Sequence, residues 1–245
     1  MKITVVGRWG AFPEQGEATA CYIVEHDGYC FLLDCGSGAL SSLQTYIDRR
    51  QIAAVISTHH HFDHVADLGA LVYSRVVDQA LNDTDKTLAI HCPHESRLHY
   101  EQYEKTPAAE VISYQETGVI KLGGVTVTFQ RTGHPVPCFA VRLEAEGKTI
   151  VFTADAVYDE KLGVFAYGAD LLIAESSFYA GQDAKGFGHM TSEECGKLAR
   201  NAKAGELWLT HLPHFGEVAE LKKQAEKEFS GAVKLAEAGL TMQAE

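Results

Sequence analysis

A weak internal duplication constrains the fold of this chain more than any other feature. Residues 21–25, a His26-Asp27-Gly28 turn and residues 29–33 predict a hairpin that runs into Asp34-Cys35-Gly36. Residues 139–144, a turn at Glu146-Gly147 and residues 149–153 predict a second hairpin, running into Ala154-Asp155-Ala156. The likeness continues, with a strand over 51–57 matched by 169–174 and one over 88–92 matched by 206–211. Helical stretches are expected at 65–78 and 95–104 in the first half and at 191–204 and 217–229 in the second. A hairpin followed by strand, helix and strand, written twice, predicts an α/β chain of two mixed sheets packed face to face with helices outside, an αββα sandwich. Runs such as Leu171-Leu172-Ile173 suit strands covered on both faces.

Composition agrees with one compact unit. Hydrophobic residues make up 46% of the 245 and charged residues 22%, ordinary for a globular chain with a sizeable core. With no low-complexity tract or long charge block to mark a linker, a single domain spanning residues 1–245 is expected. The balance of 21 Lys+Arg against 33 Asp+Glu leaves a formal charge of −12, a field that disfavours general nucleic-acid binding but leaves room for a small anion held directly by metal. Six scattered cysteines contain no C-x-x-C pair and read as small buried hydrophobes in a reducing compartment. The first residues look like a strand, not a signal peptide, and no run approaches the ~18 apolar residues of a membrane span, so a cytoplasmic protein is expected.

Between the strand at 51–57 and the helix that follows lies Thr58-His59-His60-His61-Phe62-Asp63-His64. In an extended stretch alternate side chains share a face, so His59 and His61 project together while His60 points away. The chain then turns and delivers Asp63 and His64 to the same small volume. Imidazole with carboxylate suits Zn²⁺ first, and Mn²⁺ or Fe²⁺ after it. By the duplication, Asp34, this run, Asp155, Glu175 and His211 all fall at strand ends, where ligands gather in α/β sheets. His134 follows the strand at 125–131. Singly, a histidine after a strand is more often a structural hydrogen-bonding residue and a strand-ending Asp a turn former; with the histidine run beside them, they read as a metal centre.

The joint pattern T-H-x-H-x-D-H, a separate His, an Asp after a strand and a final His before Leu-Pro resembles the metallo-β-lactamase superfamily over nearly the whole chain. The resemblance implies a four-layer αββα sandwich of two pseudo-symmetric halves. It implies two Zn²⁺ ions, one held by His59, His61 and His134 and the other by Asp63, His64 and His211, with Asp155 bridging both and a hydroxide between them. Asp34 would support the ligands from behind. An Asp as bridge, where lactam-cleaving members often place cysteine, suits phosphoester or lactone substrates.

Within the superfamily the chain looks most like the ribonuclease-Z-like phosphodiesterase branch. Ala174-Glu175-Ser176-Ser177 is similar to that branch's His-Glu-Ala-Thr segment, and Gly188-His189-Met190-Thr191 to its Gly-His-Ser-Thr. The comparison implies that Glu175 orients His189, that His189 stabilises the phosphoryl oxygen or the leaving group, and that Asp63 relays a proton. Ala174, Ser177 and Met190 depart from the pattern. The branch's glycine-rich basic arm has no room either, because one hairpin fills the interval from His134 to Asp155. A dinuclear hydrolase of small or short single-stranded phosphodiesters is therefore expected, without processing of precursor transfer RNA. The rivals are a lactone or thioester hydrolase on the same metals, and a non-catalytic metal-binding module. The resemblance also implies that a homodimer is open to this chain. Arg8 and Trp9 form a loop that could meet substrate or be structural; His91 and His94 read as structural or pocket-lining, His214 as an exposed helix-start histidine with lining the entrance as the alternative, and Tyr100 and Tyr103 as packing residues.

Overall fold

Both predicted hairpins form, and each seeds a mixed sheet in the computed structural model, which describes residues 1–82 and 85–243. In the first sheet β1 (Lys2–Gly7), β2 (Cys21–His26) and β3 (Tyr29–Leu33) are antiparallel neighbours, and β4 (Ile52–Ile56), β5 (Leu88–Pro93) and β6 (Ala109–Tyr114) continue it in parallel. The second sheet holds β7 (Val119–Leu122), β8 (Val125–Arg131), β9 (Phe139–Ala145), β10 (Lys148–Phe152), β11 (Leu171–Glu175), β12 (Glu206–Thr210) and β13 (Ala232–Leu235). There β8 to β10 form the antiparallel meander and β10 to β13 the parallel run. The last strand, β14 (Thr241–Gln243), returns to pair with β1. Among the described residues each sheet thus has seven strands, in orders β14-β1-β2-β3-β4-β5-β6 and β13-β12-β11-β10-β9-β8-β7, so the duplication is one of topology: β1 to β6 repeat as β8 to β13.

The chain resolves into two compact units, residues 1–115, 122–124 and 237–243 in one and residues 116–121 and 125–236 in the other. Helices α1 (Ala39–Leu43), α2 (Phe62–Val65) and α3 (Leu68–Ala80) belong to the first; α4 (Glu160–Phe165), α5 (Ser192–Asn201) and α6 (Val218–Glu226) belong to the second. Leu68, Leu71 and Val72 of α3 and Leu43 of α1 are buried in one cluster with Ile23, Leu32, Val55 and Ile90 of the first sheet. In the second unit α5 starts on a capping box, Thr191 with Glu194, and buries Cys195, Leu198 and Ala199. Strand β11, with all five residues buried, matches its continuous apolar reading.

Two expected helices differ. The stretch at 95–104 forms two short 3₁₀ pieces, His94–His99 and Glu101–Lys105, separated at Tyr100, whose hydroxyl is drawn inward to Ser57 and the His59 carbonyl. The helix expected from Val65 begins at Leu68, because Asp67 is pinned outside it: its N–H donates to the Cys35 carbonyl and its carboxylate accepts from the Leu40 N–H. The interval between His134 and Asp155 is filled by β9, a Glu146-Gly147 turn with φ of 52° and 76°, and β10, as expected.

All six cysteines are buried. Burial pushes the Cys30 and Cys92 thiols up to about 12, and those of Cys21, Cys35 and Cys195 also upward. Since the thiolate is the reactive form, a chromogenic disulfide reagent at pH 8 is expected to find almost no thiol in the native protein and six after denaturation. Rapid native labelling would contradict this. Among the described residues no helix is long and apolar enough to cross a membrane.

Candidate metal centre

Each unit carries one half of the predicted constellation, built on left-handed turns at strand ends. Asp34 just past β3, Ala154 just past β10 and His211 just past β12 have φ of 56°, 50° and 52°. Non-glycine residues rarely adopt this conformation, which costs on the order of 1–3 kcal/mol and persists where the surroundings over-determine it. Here it turns the chain sharply at the sheet edge and sets polar side chains beside one another.

In the first unit the organising group is the Asp34 carboxylate, wholly buried. It accepts from the Thr58 N–H at 2.8 Å, the Thr58 hydroxyl at 2.9 Å and His64 Nδ1 at 2.8 Å. Having donated to Asp34, the Thr58 oxygen is the acceptor for His59 Nδ1, 3.1 Å away. The same carboxylate therefore holds His64 directly and His59 through one hydroxyl. Both rings have their proton on Nδ1 and their lone pair on Nε2, the form in which a histidine ligates. His59 Nε2 lies 3.1 Å from His61 Nδ1, and His64 Nε2 lies 3.7 Å from Asp63 Oδ2. That oxygen also accepts from the Ala11 N–H. Gly36 is required by close approach: a Cβ there would sit 2.1 Å from the Asp63 carbonyl oxygen and 2.2 Å from Thr19 Oγ1. His60 turns away, as alternation predicts, to Ser96 and into a parallel stack on His99 with ring centroids 3.7 Å apart.

The second unit repeats the device with Glu175. Fully buried, its Oε1 accepts from the Ala156 and Met190 N–H groups and from His189 Nδ1 at 2.9 Å, and its Oε2 from the Ser177 N–H and hydroxyl. The Ser177 oxygen in turn receives His211 Nδ1 at 2.8 Å. So Glu175 holds His189 directly and His211 through a hydroxyl. His134 is oriented separately, by Nδ1 donating to the Gly188 carbonyl at 3.0 Å. Gly188 has φ +82°, and a Cβ there would meet Pro135 at 2.5 Å, so only glycine brings that carbonyl so close to the ring. Burial pushes the His134 imidazole below its ordinary range, against the pull of Asp155, and so favours the neutral form.

Asp155 stands among these rings. Its Oδ2 lies 3.8 Å from His134 Nε2 and its Oδ1 3.4 Å from His211 Nε2, so its two oxygens face different imidazoles. Ligand-capable atoms of Asp155, His189 and His211 all lie within 4.8 Å of one another. A buried carboxylate among imidazoles whose other nitrogens are already committed is the chemistry of a cation-binding donor set.

Several groups here carried no signal of their own in the sequence. Thr58 and Ser177 relay the two carboxylates, and Tyr100 and Tyr114 hold the backbone of the histidine run through the His59 and Ser57 carbonyls. A hydroxyl next to a ligand in sequence was the available clue for Thr58. In the Arg8 and Trp9 loop both side chains bond the Glu17 carboxylate, at 3.0 and 2.7 Å, and Trp9 is buried. His91 is buried in β5, where burial brings its imidazole down to about 4, and His214 is half-buried ahead of α6.

The model of the metallo-beta-lactamase superfamily matches residues 15–211. A probable metallo-hydrolase of Bacillus subtilis, YhfI, is 42% identical over 242 residues, 98% of each chain. The crystal structure of YhfI superposes with a TM-score of 0.92, 41% identity and 99% coverage of both chains. Ribonuclease Z of Mycolicibacterium paratuberculosis is 27% identical over 267 residues, 96% of this chain and 95% of the relative. At 21% identity, the crystal structure of human tRNase Z, short form, shares the fold with a TM-score of 0.79 over the full length of both chains.

Proposed function

The chain belongs to the metallo-β-lactamase superfamily of metal-dependent hydrolases, and from that premise we propose that it is a dinuclear zinc phosphodiesterase acting on small or short single-stranded phosphodiesters. The observation that carries the reading is the Asp155 carboxylate, with one oxygen towards His134 Nε2 and the other towards His211 Nε2. A carboxylate so placed suits a bridge between two hard cations. In this proposal His59, His61 and His134 would hold one ion and Asp63, His64 and His211 the other. When bound, such ions would acidify water and polarise the ester. Similarity to ribonuclease Z over nearly the whole chain supports the phosphodiester over other esters. The short β9–β10 hairpin and the charge of −12 favour a small substrate over a folded RNA.

The protein's own groups have defined tasks. A P–O bond forms to water oxygen, the bond to the leaving oxygen breaks, and that oxygen needs a proton. His189 is placed to give it from Nε2 when that nitrogen also carries a proton, the Nδ1–H staying bonded to buried Glu175. Asp63, whose Oδ2 accepts from the Ala11 N–H, would take up the water's proton and relay it towards the leaving oxygen.

Purified protein is expected to hydrolyse bis(p-nitrophenyl) phosphate faster than a lactone or an acyl thioester, to lose that activity on chelation and to regain it with Zn²⁺ or Mn²⁺. Faster lactone or thioester turnover would reassign the substrate class. A metal-replete protein inert on the whole panel would leave a binding module.

A further inference from the structure

Beside the histidine run, wholly within the first unit, lies a cleft of about 470 Å³ that the reaction as proposed does not use. Its lining includes His61, a residue of the proposed metal set, together with Phe62, the His60–His99 stack, Gln102 and Tyr103. Among its described lining residues there is no lysine, arginine, aspartate or glutamate. What the lining offers instead is aromatic and imidazole rings and one amide. Phe62, next in sequence to His61 and the first residue of α2, is 84% exposed. Aromatic faces, one neutral amide and continuity with a ligand of the reacting centre together describe a seat for an uncharged planar ring.

We infer that this cleft is a substrate subsite that stacks an aromatic ring carried by the ester substituent retained after hydrolysis, so that ring-bearing diesters are preferred to alkyl ones. The inference rests on the phosphodiesterase reading for its substrate, and on the cleft alone for its ligand. A nucleobase and a simple aryl group share the required chemistry, with Gln102 able to offer a donor and an acceptor to a base edge.

Three diesters with the same p-nitrophenolate leaving group test it: methyl p-nitrophenyl phosphate, bis(p-nitrophenyl) phosphate and thymidine 5′-(p-nitrophenyl phosphate). Phe62→Ala, at an exposed position, is expected to lower the ring-to-methyl ratio of kcat/KM about tenfold, the size of one lost stacking contact, while Phe62→Tyr retains it. A larger loss for the thymidine ester identifies a base seat; equal loss for both ring esters identifies an aryl seat. An unchanged ratio in Phe62→Ala overturns the inference. A second readout needs no turnover. In Phe62→Trp, thymidine 5′-monophosphate is expected to quench indole fluorescence to saturation where methyl phosphate does not. Saturable quenching in a protein that cleaves no diester would sustain the subsite and sink the phosphodiesterase reading; absence of selective quenching sinks the subsite.

Discussion

Asp155→Ala is expected to take turnover below detection and to empty the protein of tightly bound metal in the same preparation. Replacing a residue that merely supports a ligand costs roughly 10–100-fold in metal affinity, and Asp155 is proposed as a ligand to both ions, so its loss falls beyond that range. The fold should survive. The Asp155 backbone carbonyl, which receives the Thr132 hydroxyl at 2.7 Å and the Cys138 thiol at 3.4 Å, anchors this turn. Alanine keeps that carbonyl. Elemental analysis beside a hydrolysis assay, with a thermal melt to verify folding, makes the measurement. Two metals per chain and full turnover in the variant would remove Asp155 from the centre, and the dinuclear proposal with it.

His189→Ala should separate chemistry from metal binding. With Glu175 holding its Nδ1 proton, this ring is assigned to the leaving oxygen and not to an ion, so kcat is expected to fall about 10²–10³-fold, the range for removing one preorganised donor, with metal content unchanged. Glu175→Gln should behave differently. An amide NH₂ would confront the donors that now converge on one carboxylate oxygen, leaving buried groups unpaired at about 1–3 kcal/mol, seen as a drop of several degrees in Tm together with reduced kcat. Wild-type kcat in His189→Ala would return His189 to a structural role. Loss of metal in that variant would instead make it a ligand, which its distance to Asp155 and His211 makes the specific competing outcome.

Much of the centre was legible because its parts are local. His59, His61, Asp63 and His64 lie within six consecutive positions, and alternation along an extended chain was enough to separate His60 from His59 and His61. Asp34, His134, Asp155 and His211 could be picked out as polar residues where predicted strands end. Ser177 was visible only as a departure from a family pattern, and Tyr100 only as a packing residue. Their work is done through hydrogen bonds to groups 34 and 41 positions away, which no local pattern encodes. The two 3₁₀ pieces around Tyr100 were missed for the same reason, since a helical period says nothing of a hydroxyl drawn inward to a distant carbonyl.

By itself the sequence settled the class of fold and offered the candidate ligands, because hydrophobic alternation, turn residues and the repeated hairpin act over a few neighbours, and a histidine offers a nitrogen whatever surrounds it. The tertiary structure decided which nitrogen. Each imidazole's tautomer follows from the acceptor brought to its other side: Asp34 for His64, Thr58 for His59, Glu175 for His189, Ser177 for His211 and the Gly188 carbonyl for His134. In the second unit every one of those acceptors lies more than ten positions from its ring, so it meets the ring only once the sheet has formed.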